Sequence, residues 1–168
     1  MTIEKPYRPN VGVALFNTSG QVLIGRRFRD DGPEIILPGL EWQMPQGGID
    51  ADENPRDAVM RELWEETGAK DADYLGETDW LTYEFPAYSG PPSHRLAKFR
   101  GQRQKWFALR FTGRDDEIDP LQSRNGQPAE FDQWAGSGST ASPIWWCRSG
   151  ARSIALWQES SNGSRASA

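Results

Sequence analysis

The alternation of hydrophobic and polar positions divides this chain into short elements. Val11–Asn17 (VGVALFN) is rich in β-forming residues, Thr18-Ser19-Gly20 supplies turn chemistry, and Gln21–Gly25 reads as a return strand, which together predict a hairpin. Residues 30–41 carry Asp30-Asp31-Gly32-Pro33 and Pro38-Gly39 and read as a loop. Trp42–Pro45 is a short extended piece that Pro45 stops. The spacing then predicts a helix over 54–68. Asn54 can cap it, Pro55 fits its first turn, and Asp57 suits the positive end of the helix. Val59, Met60, Leu63 and Trp64 form its apolar stripe, and Gly68 stands where a left-handed C-terminal residue belongs. Leu75–Phe85 reads as strand material around Trp80, Leu81 and Tyr83, and Pro86–Gln104 as a long loop. Lys105–Phe111 alternates, with Phe107, Leu109 and Phe111 on one face and Trp106, Ala108 and Arg110 on the other. Residues 112–129 are turn-rich and read as an excursion. Short strands around one central helix predict a mixed α/β domain.

Charge divides the 168 residues differently. Residues 1–134 hold 16 Lys or Arg and 23 Asp or Glu, a balance of −7; residues 135–168 hold Arg148, Arg152 and Arg165 against Glu159, a balance of +2. No apolar run approaches a membrane span, and Met1–Pro6 lacks the apolar core of a secretory signal. Cys147 is the single cysteine, which excludes an intrachain disulfide and a thiolate zinc cluster. A cytoplasmic protein of a reducing compartment, with no membrane partner, is the expectation. The acidic balance also disfavours a general nucleic-acid-coating role.

The predicted helix places Glu62, Glu65 and Glu66 three and four residues apart, on one edge, with Arg61 four before Glu65. An acidic helix face by itself reads most simply as solvated surface. Carboxylates this close also repel, and a divalent cation such as Mg²⁺ is a natural counter-charge because it prefers carboxylate oxygen.

The surrounding residues favour the cation. Gly47, Glu53, Arg61-Glu62-Leu63, Glu65-Glu66 and Gly68-Ala69 stand at offsets that resemble the Nudix box, Gly-x5-Glu-x7-Arg-Glu-U-x-Glu-Glu-x-Gly-U, where U is a bulky apolar residue and Ala69 is a small choice. The resemblance implies a Nudix-type α/β/α sandwich with a mixed central β-sheet and the Nudix loop-helix. It also implies hydrolysis of a nucleoside diphosphate linked to another group. Carried over by position, Glu62, Glu65 and Glu66 would ligate metal, with Mg²⁺ as cofactor and Mn²⁺ or another divalent cation able to substitute. Arg61 would orient those carboxylates, Gly47 and Gly48 would admit close backbone approach, and Glu53 would hold the loop in shape. Glu130, in Ala129-Glu130-Phe131-Asp132, is the candidate further ligand, its bland reading being an ordinary loop acid. The chemistry suits this donor set: cleaving a phosphoanhydride needs in-line placement of water and neutralised oxygen charge more than covalent help.

Four further stretches narrow the resemblance. Tyr7–Gly12, Trp42–Gly48, Gly101–Phe107 and Glu130–Trp134 look like the bacterial RNA pyrophosphohydrolases and the related dinucleoside polyphosphate hydrolases. Arg8 and Arg27 are substrate-contact candidates by family position, and Gln104 and Lys105 are candidates from the stretch Gly101–Phe107. From Phe85 to Gly113 the chain carries His94, Arg95, Lys98, Arg100, Arg103, Lys105 and Arg110 and no acid, a patch that would draw a polyphosphate or an RNA 5′ end. His94 by itself reads as loop surface. The expected activity is removal of pyrophosphate from 5′-triphosphorylated RNA. A dinucleoside polyphosphate hydrolase and a non-catalytic nucleotide-binding module are the alternatives. The sequence names no regulatory partner.

The resemblance stops at Trp134. Residues 135–168 hold nine serines, with Trp145, Trp146 and Trp157 scattered among them, where the family has a strand and an amphipathic helix. This tail reads as disordered or as the product of a shifted reading frame: permissible codons for Pro143–Ser149, displaced by two bases, give Asp-Leu-Val-Val-Pro-Phe, and Trp145-Trp146-Cys147 forces the valines.

Overall fold

The computed structural model describes residues 4–27, 41–85, 90, 92 and 95–135. Its elements are β1 (Tyr7–Phe16), β2 (Ile24–Arg27), β3 (Trp42–Gln43), β4 (Gln46–Gly48), α1 (Pro55–Thr67), β5 (Ala72–Glu77), β6 (Leu81–Glu84), α2 (Arg95–Lys98), β7 (Gly101–Phe111), a 3-10 turn at Asp115–Glu117, and β8 (Phe131–Ala135). β1 and β7 run parallel, from Tyr7 opposite Gly101 to Phe16 opposite Arg110. β4 joins β1 antiparallel, while β5 and β6 join β7 antiparallel, giving a five-stranded mixed sheet. β3, β2 and β8 form a second, three-stranded sheet.

The alternation of β1 and β7 explains which face α1 covers. Val11, Val13 and Leu15 lie beside Lys105, Phe107 and Leu109 in register, so odd-numbered side chains share one face. That face packs Val11, Val13, Leu15, Phe107, Leu109 and Phe111 against Ala58, Val59 and Leu63 of α1. Arg8, Asn10, Gln102 and Gln104 point to the opposite face. Farther along that face, Gly12 lies under the Trp106 ring, where a Cβ would come within 2.5 Å of ring carbons. Trp106 and Ala108 are therefore buried as fully as the odd positions. β7 is a central strand covered on both sides, not the half-exposed strand that simple alternation suggests.

Three elements differ from their sequence reading. The turn after β1 forms, with Asn17 N–H donating to Gln21 O and Leu23 N–H to Leu15 O. Its second arm, however, leaves the hairpin at Ile24 and enters the other sheet, pairing with β3 and β8. The strand material expected over 75–85 divides at Thr78 into the end of β5 and β6. The Thr78 N–H donates to Trp106 O, and its Oγ1 accepts from Trp106 N–H, so a side chain replaces a backbone carbonyl and ends β5. The loop expected up to Gln104 ends earlier, because β7 begins at Gly101 after the short α2. The loop expected over 30–41 (apart from Glu41), His94 and the tail beyond Ala135 lie outside the described residues.

Candidate active site

Helix α1 is fixed at both ends by local chemistry. Asn54 Oδ1 accepts from the N–H groups of Arg56 and Asp57, and Gly68 closes the helix at φ 83°. With the apolar stripe against the sheet, the edge carrying Arg61, Glu62, Glu65 and Glu66 lies toward the loop that runs from β4 into α1.

Arg61 is the hub of that edge. Its Nε and one terminal nitrogen grip both oxygens of Glu53 at 2.8 Å. The same terminal nitrogen donates to Gly48 O at 2.8 Å, and the other reaches Glu62 at 2.8 Å and Glu65 at 3.1 Å. Glu53 also accepts from Asp50 N–H, closing the loop on itself. These bonds hold the Glu53 carboxyl below its ordinary value, with Arg61 the main cause, and raise the guanidinium further above its own.

The two inner carboxylates are perturbed the other way. Burial lifts the Glu62 carboxyl; Arg61 pulls it back, and the charges of Glu65 and Glu130 push it up again. Burial lifts Glu66 well above the ordinary range, helped by the charges of Glu130 and Glu62 and opposed by Gln46 N–H and Arg27. Glu66 Oε2 accepts from Gln46 N–H at 3.1 Å, while its Oε1 is buried with no hydrogen-bond partner among the described residues. Glu65 accepts from Arg61 on one oxygen and from Asn125 Nδ2, at 2.6 Å, on the other.

Gly47 and Gly48 are both places of close approach, on opposite faces of β4. A Cβ on Gly47 would lie 2.0–2.2 Å from the Glu62 carboxyl atoms. A Cβ on Gly48 would lie 2.6 Å from an Arg8 guanidinium nitrogen. Arg8 thus stands at the β4 edge of the even-numbered face. Next to it runs a buried amide chain: Asn10 Nδ2 donates to Gln102 Oε1, and Gln104 Nε2 donates to both Gln102 Oε1 and Gln46 Oε1. Gln46 links this chain to Glu66 through its own backbone.

The candidates therefore divide. The structure gathers Glu62, Glu65, Glu66 and Arg61 with Gly47, brings Arg27 and Glu130 within electrostatic reach of Glu66, and sets Arg8 and Gln104 next to the loop. Lys105 is elsewhere: it lies on the face of β7 that α1 covers and pairs with Glu77 at 2.6 Å. Gln46 and Gln102 stand in the sequence stretches Trp42–Gly48 and Gly101–Phe107 without a role assigned to them, and Asn125 stands in none. The Asn125-Gly126 pair was the one available signal, as a turn dipeptide. A shallow hollow lined by Leu15, Asn17, Leu23, Phe111, Ile118 and Trp134 contains none of these groups.

As the side chains stand, no three His, Cys, Asp or Glu groups among the described residues converge as a metal-binding set. The donor chemistry nevertheless fits a hard divalent cation. All the groups are carboxylates, two are pushed toward protonation by burial and mutual repulsion, and a buried Glu66 oxygen lacks a donor among the described residues.

The profile of the NUDIX domain family matches residues 6–145. An RNA pyrophosphohydrolase of Gluconacetobacter diazotrophicus is 53% identical over 133 residues, covering 78% of this chain and 77% of that protein. One from Azorhizobium caulinodans is 50% identical over 133 residues, with the same shares covered. Among solved structures, a binary complex of a C. elegans Ap4A hydrolase shares the fold, with a TM-score of 0.54 at 15% identity over 90% of this chain and 98% of that one.

Proposed function

This chain belongs to the NUDIX domain family, and from that premise we propose that it is a hydrolase removing pyrophosphate from the 5′-triphosphate end of RNA. The observation that carries the reading is the edge of α1, where one Arg61 is locked to Glu62 and Glu65 and the buried Glu66 lies within reach of the Glu62 charge. Relatives about half identical over most of the chain, named for this activity, support the substrate. Members of the family generally use divalent cations, and we assign Mg²⁺, with Mn²⁺ able to substitute. Glu62, Glu65 and Glu66 would hold it, with Glu130 as the further carboxylate. The bound cation supplies charge neutralisation at phosphate oxygens and a water of lowered pKa.

The chain's own groups account for the rest. Arg61 aims Glu62 and Glu65, because each of its bonds to them fixes one oxygen. Burial of Glu62 and Glu66 excludes water and strengthens any charge interaction there. In this reading Arg8 and Arg27 would meet phosphate oxygens, and Gln104 would hold Gln46 and the loop. Lys105, held by Glu77, acts on the fold of β7 in this reading.

No helix among the described residues is long and apolar enough to cross a membrane, and we expect the protein to work in the cytoplasm. We read residues 1–134 as the hydrolase domain and 135–168 as a departure from the family pattern, although the family match runs on to residue 145. Sequencing the gene beside its relatives tests this, and an uninterrupted frame shared with them overturns the frameshift.

The test of function is pyrophosphate release from 5′-triphosphorylated RNA with Mg²⁺, run beside diadenosine tetraphosphate. RNA cleavage that Glu65→Gln abolishes is the expected result. Preferential cleavage of the dinucleotide would make that the main activity. Tight nucleotide binding without product would make the chain a binding module. Failure to cleave either substrate overturns the proposal.

A further inference from the structure

The stretch between β7 and β8 reads in sequence as a turn-rich excursion, yet it ends on the helix that carries the site. Arg124 and Gln127 face each other across Asn125-Gly126, each N–H donating to the other's carbonyl, at 3.1 and 2.8 Å. Asn125 and Gly126 both have positive φ, 52° and 73°. This is a two-residue hairpin of the mirror-image type, which admits Asn, Asp or Gly at its first position.

Three contacts dock that segment onto the end of α1. Asp119 N–H donates to Thr67 O at 2.8 Å. The Arg124 guanidinium fills the space beside Gly68, where a Cβ would come within 2.7 Å of it. Asn125 Nδ2 donates to Glu65 Oε1 at 2.6 Å. Five residues later the chain reaches Glu130, close enough for its charge to act on Glu62 and Glu66.

We propose that Asn125 is a positioning residue: its side-chain amide fixes the Glu65 carboxylate and pins the segment that carries Glu130 beside Glu62 and Glu66. This rests on the reading of that edge as the hydrolytic site. The residue type follows from two demands met at once. The turn requires a residue tolerant of positive φ, and Glu65 requires an uncharged N–H donor. Of Asn, Asp and Gly, Asn meets both, whereas Asp would bring a like charge and Gly no side chain. With Asn125 on one oxygen and Arg61 on the other, each Glu65 oxygen keeps a lone pair available to a cation.

Asn125→Gly separates the amide from the turn, since glycine accepts this backbone. Asn125→Asp keeps the turn and reverses the donor. The experiment measures Mn²⁺ affinity by titration calorimetry, the thermal midpoint, and kcat and KM on triphosphorylated RNA. It compares the parent, both variants, Glu65→Gln and the Glu65→Gln/Asn125→Gly double variant, all in the full chain. Asn125→Gly should keep its thermal midpoint and bind Mn²⁺ about 10-fold more weakly, as for groups that orient metal ligands. Asn125→Asp should bind more weakly still, and kcat should fall more than KM rises. In the Glu65→Gln background, Asn125→Gly should add little further loss, because its effect runs through Glu65. The proposal is overturned if Asn125→Gly binds Mn²⁺ like the parent. It is equally overturned if its loss persists undiminished in the Glu65→Gln background, or is matched by a fall in thermal midpoint. A parent that leaves RNA uncleaved would sink the hydrolase reading, and the Mn²⁺ comparison would still decide this one.

Discussion

Arg61→Ala removes the hub of the carboxylate edge. The side chains of Glu53, Glu62 and Glu65 are 16, 14 and 11% exposed, and Arg61 itself is 25% exposed. The substitution strips bonds from all three and leaves Gly48 O without its guanidinium donor. Breaking a buried pair by deleting one partner costs about 3–5 kcal/mol. Partial exposure of Arg61, and the freedom of Glu62 to take a proton, argue for the lower end, about 3 kcal/mol. For a chain of this size that lowers the thermal midpoint by roughly 6–12 °C. Arg61→Lys keeps the charge, but a single ammonium cannot grip both Glu53 oxygens while reaching Gly48, Glu62 and Glu65, so about half the loss should remain. The assay is thermal unfolding by circular dichroism near neutral pH in EDTA. An Ala variant within about 1 kcal/mol of the parent would refute the hub, because exposed pairs are worth only that much. A Lys variant as stable as the parent would refute the role assigned to the planar fork.

Three other outcomes follow from the same geometry. Burial raises the Glu66 carboxyl, so its proton is held more tightly folded than unfolded; the resulting destabilisation is absent below the ordinary value of 4.5 and grows as pH rises toward the folded value. In EDTA, Glu66→Gln should therefore gain stability over the parent with rising pH, and a difference constant in pH would contradict this. Glu53 and Glu77, whose carboxyls are lowered, have the opposite sign but are common to both proteins. Gly47→Ala should abolish pyrophosphate release, because Glu62 must vacate the Cβ position, while Gly76→Ala, with nothing within 4 Å, should leave it intact; equal activity in the two would fail the test. Asn54→Ala should destabilise the protein by about 1 kcal/mol in denaturant unfolding through loss of the α1 cap, and no change would discount the capping bonds.

What the sequence disclosed is what local chemistry determines. Asn54, Pro55 and Gly68 bound α1 within their own turns, so helix and box were legible together. The arm after Asn17–Gln21 was not, because the choice between two sheets depends on β8, more than a hundred residues later. Alternation marked Lys105–Phe111 but missed the start of β7, since Gln102 and Gln104 are polar residues buried by bonding to each other and to Asn10 and Gln46. Lys105 follows Gln104 in the sequence, but the strand turns the two side chains to opposite faces, Lys105 toward Glu77. The contact between Asn125 and Glu65 spans 60 residues and leaves no periodic trace.

The parallel ladder of β1 and β7 has a temporal meaning. Each pair in it joins residues 94 apart, from 7 with 101 to 16 with 110. A ribosome adding roughly 5–20 residues per second leaves β1 without its partner for about 5–20 s. During that interval α1 can form and β4 can pair with β1, but the amide chain from Asn10 to Gln104 cannot. The polar floor beside Arg8 is thus completed late in synthesis, and the loop bearing Glu130 follows it out of the ribosome. A nascent chain can therefore assemble its helix and its Arg61 clamp before the amide chain beside Arg8 exists.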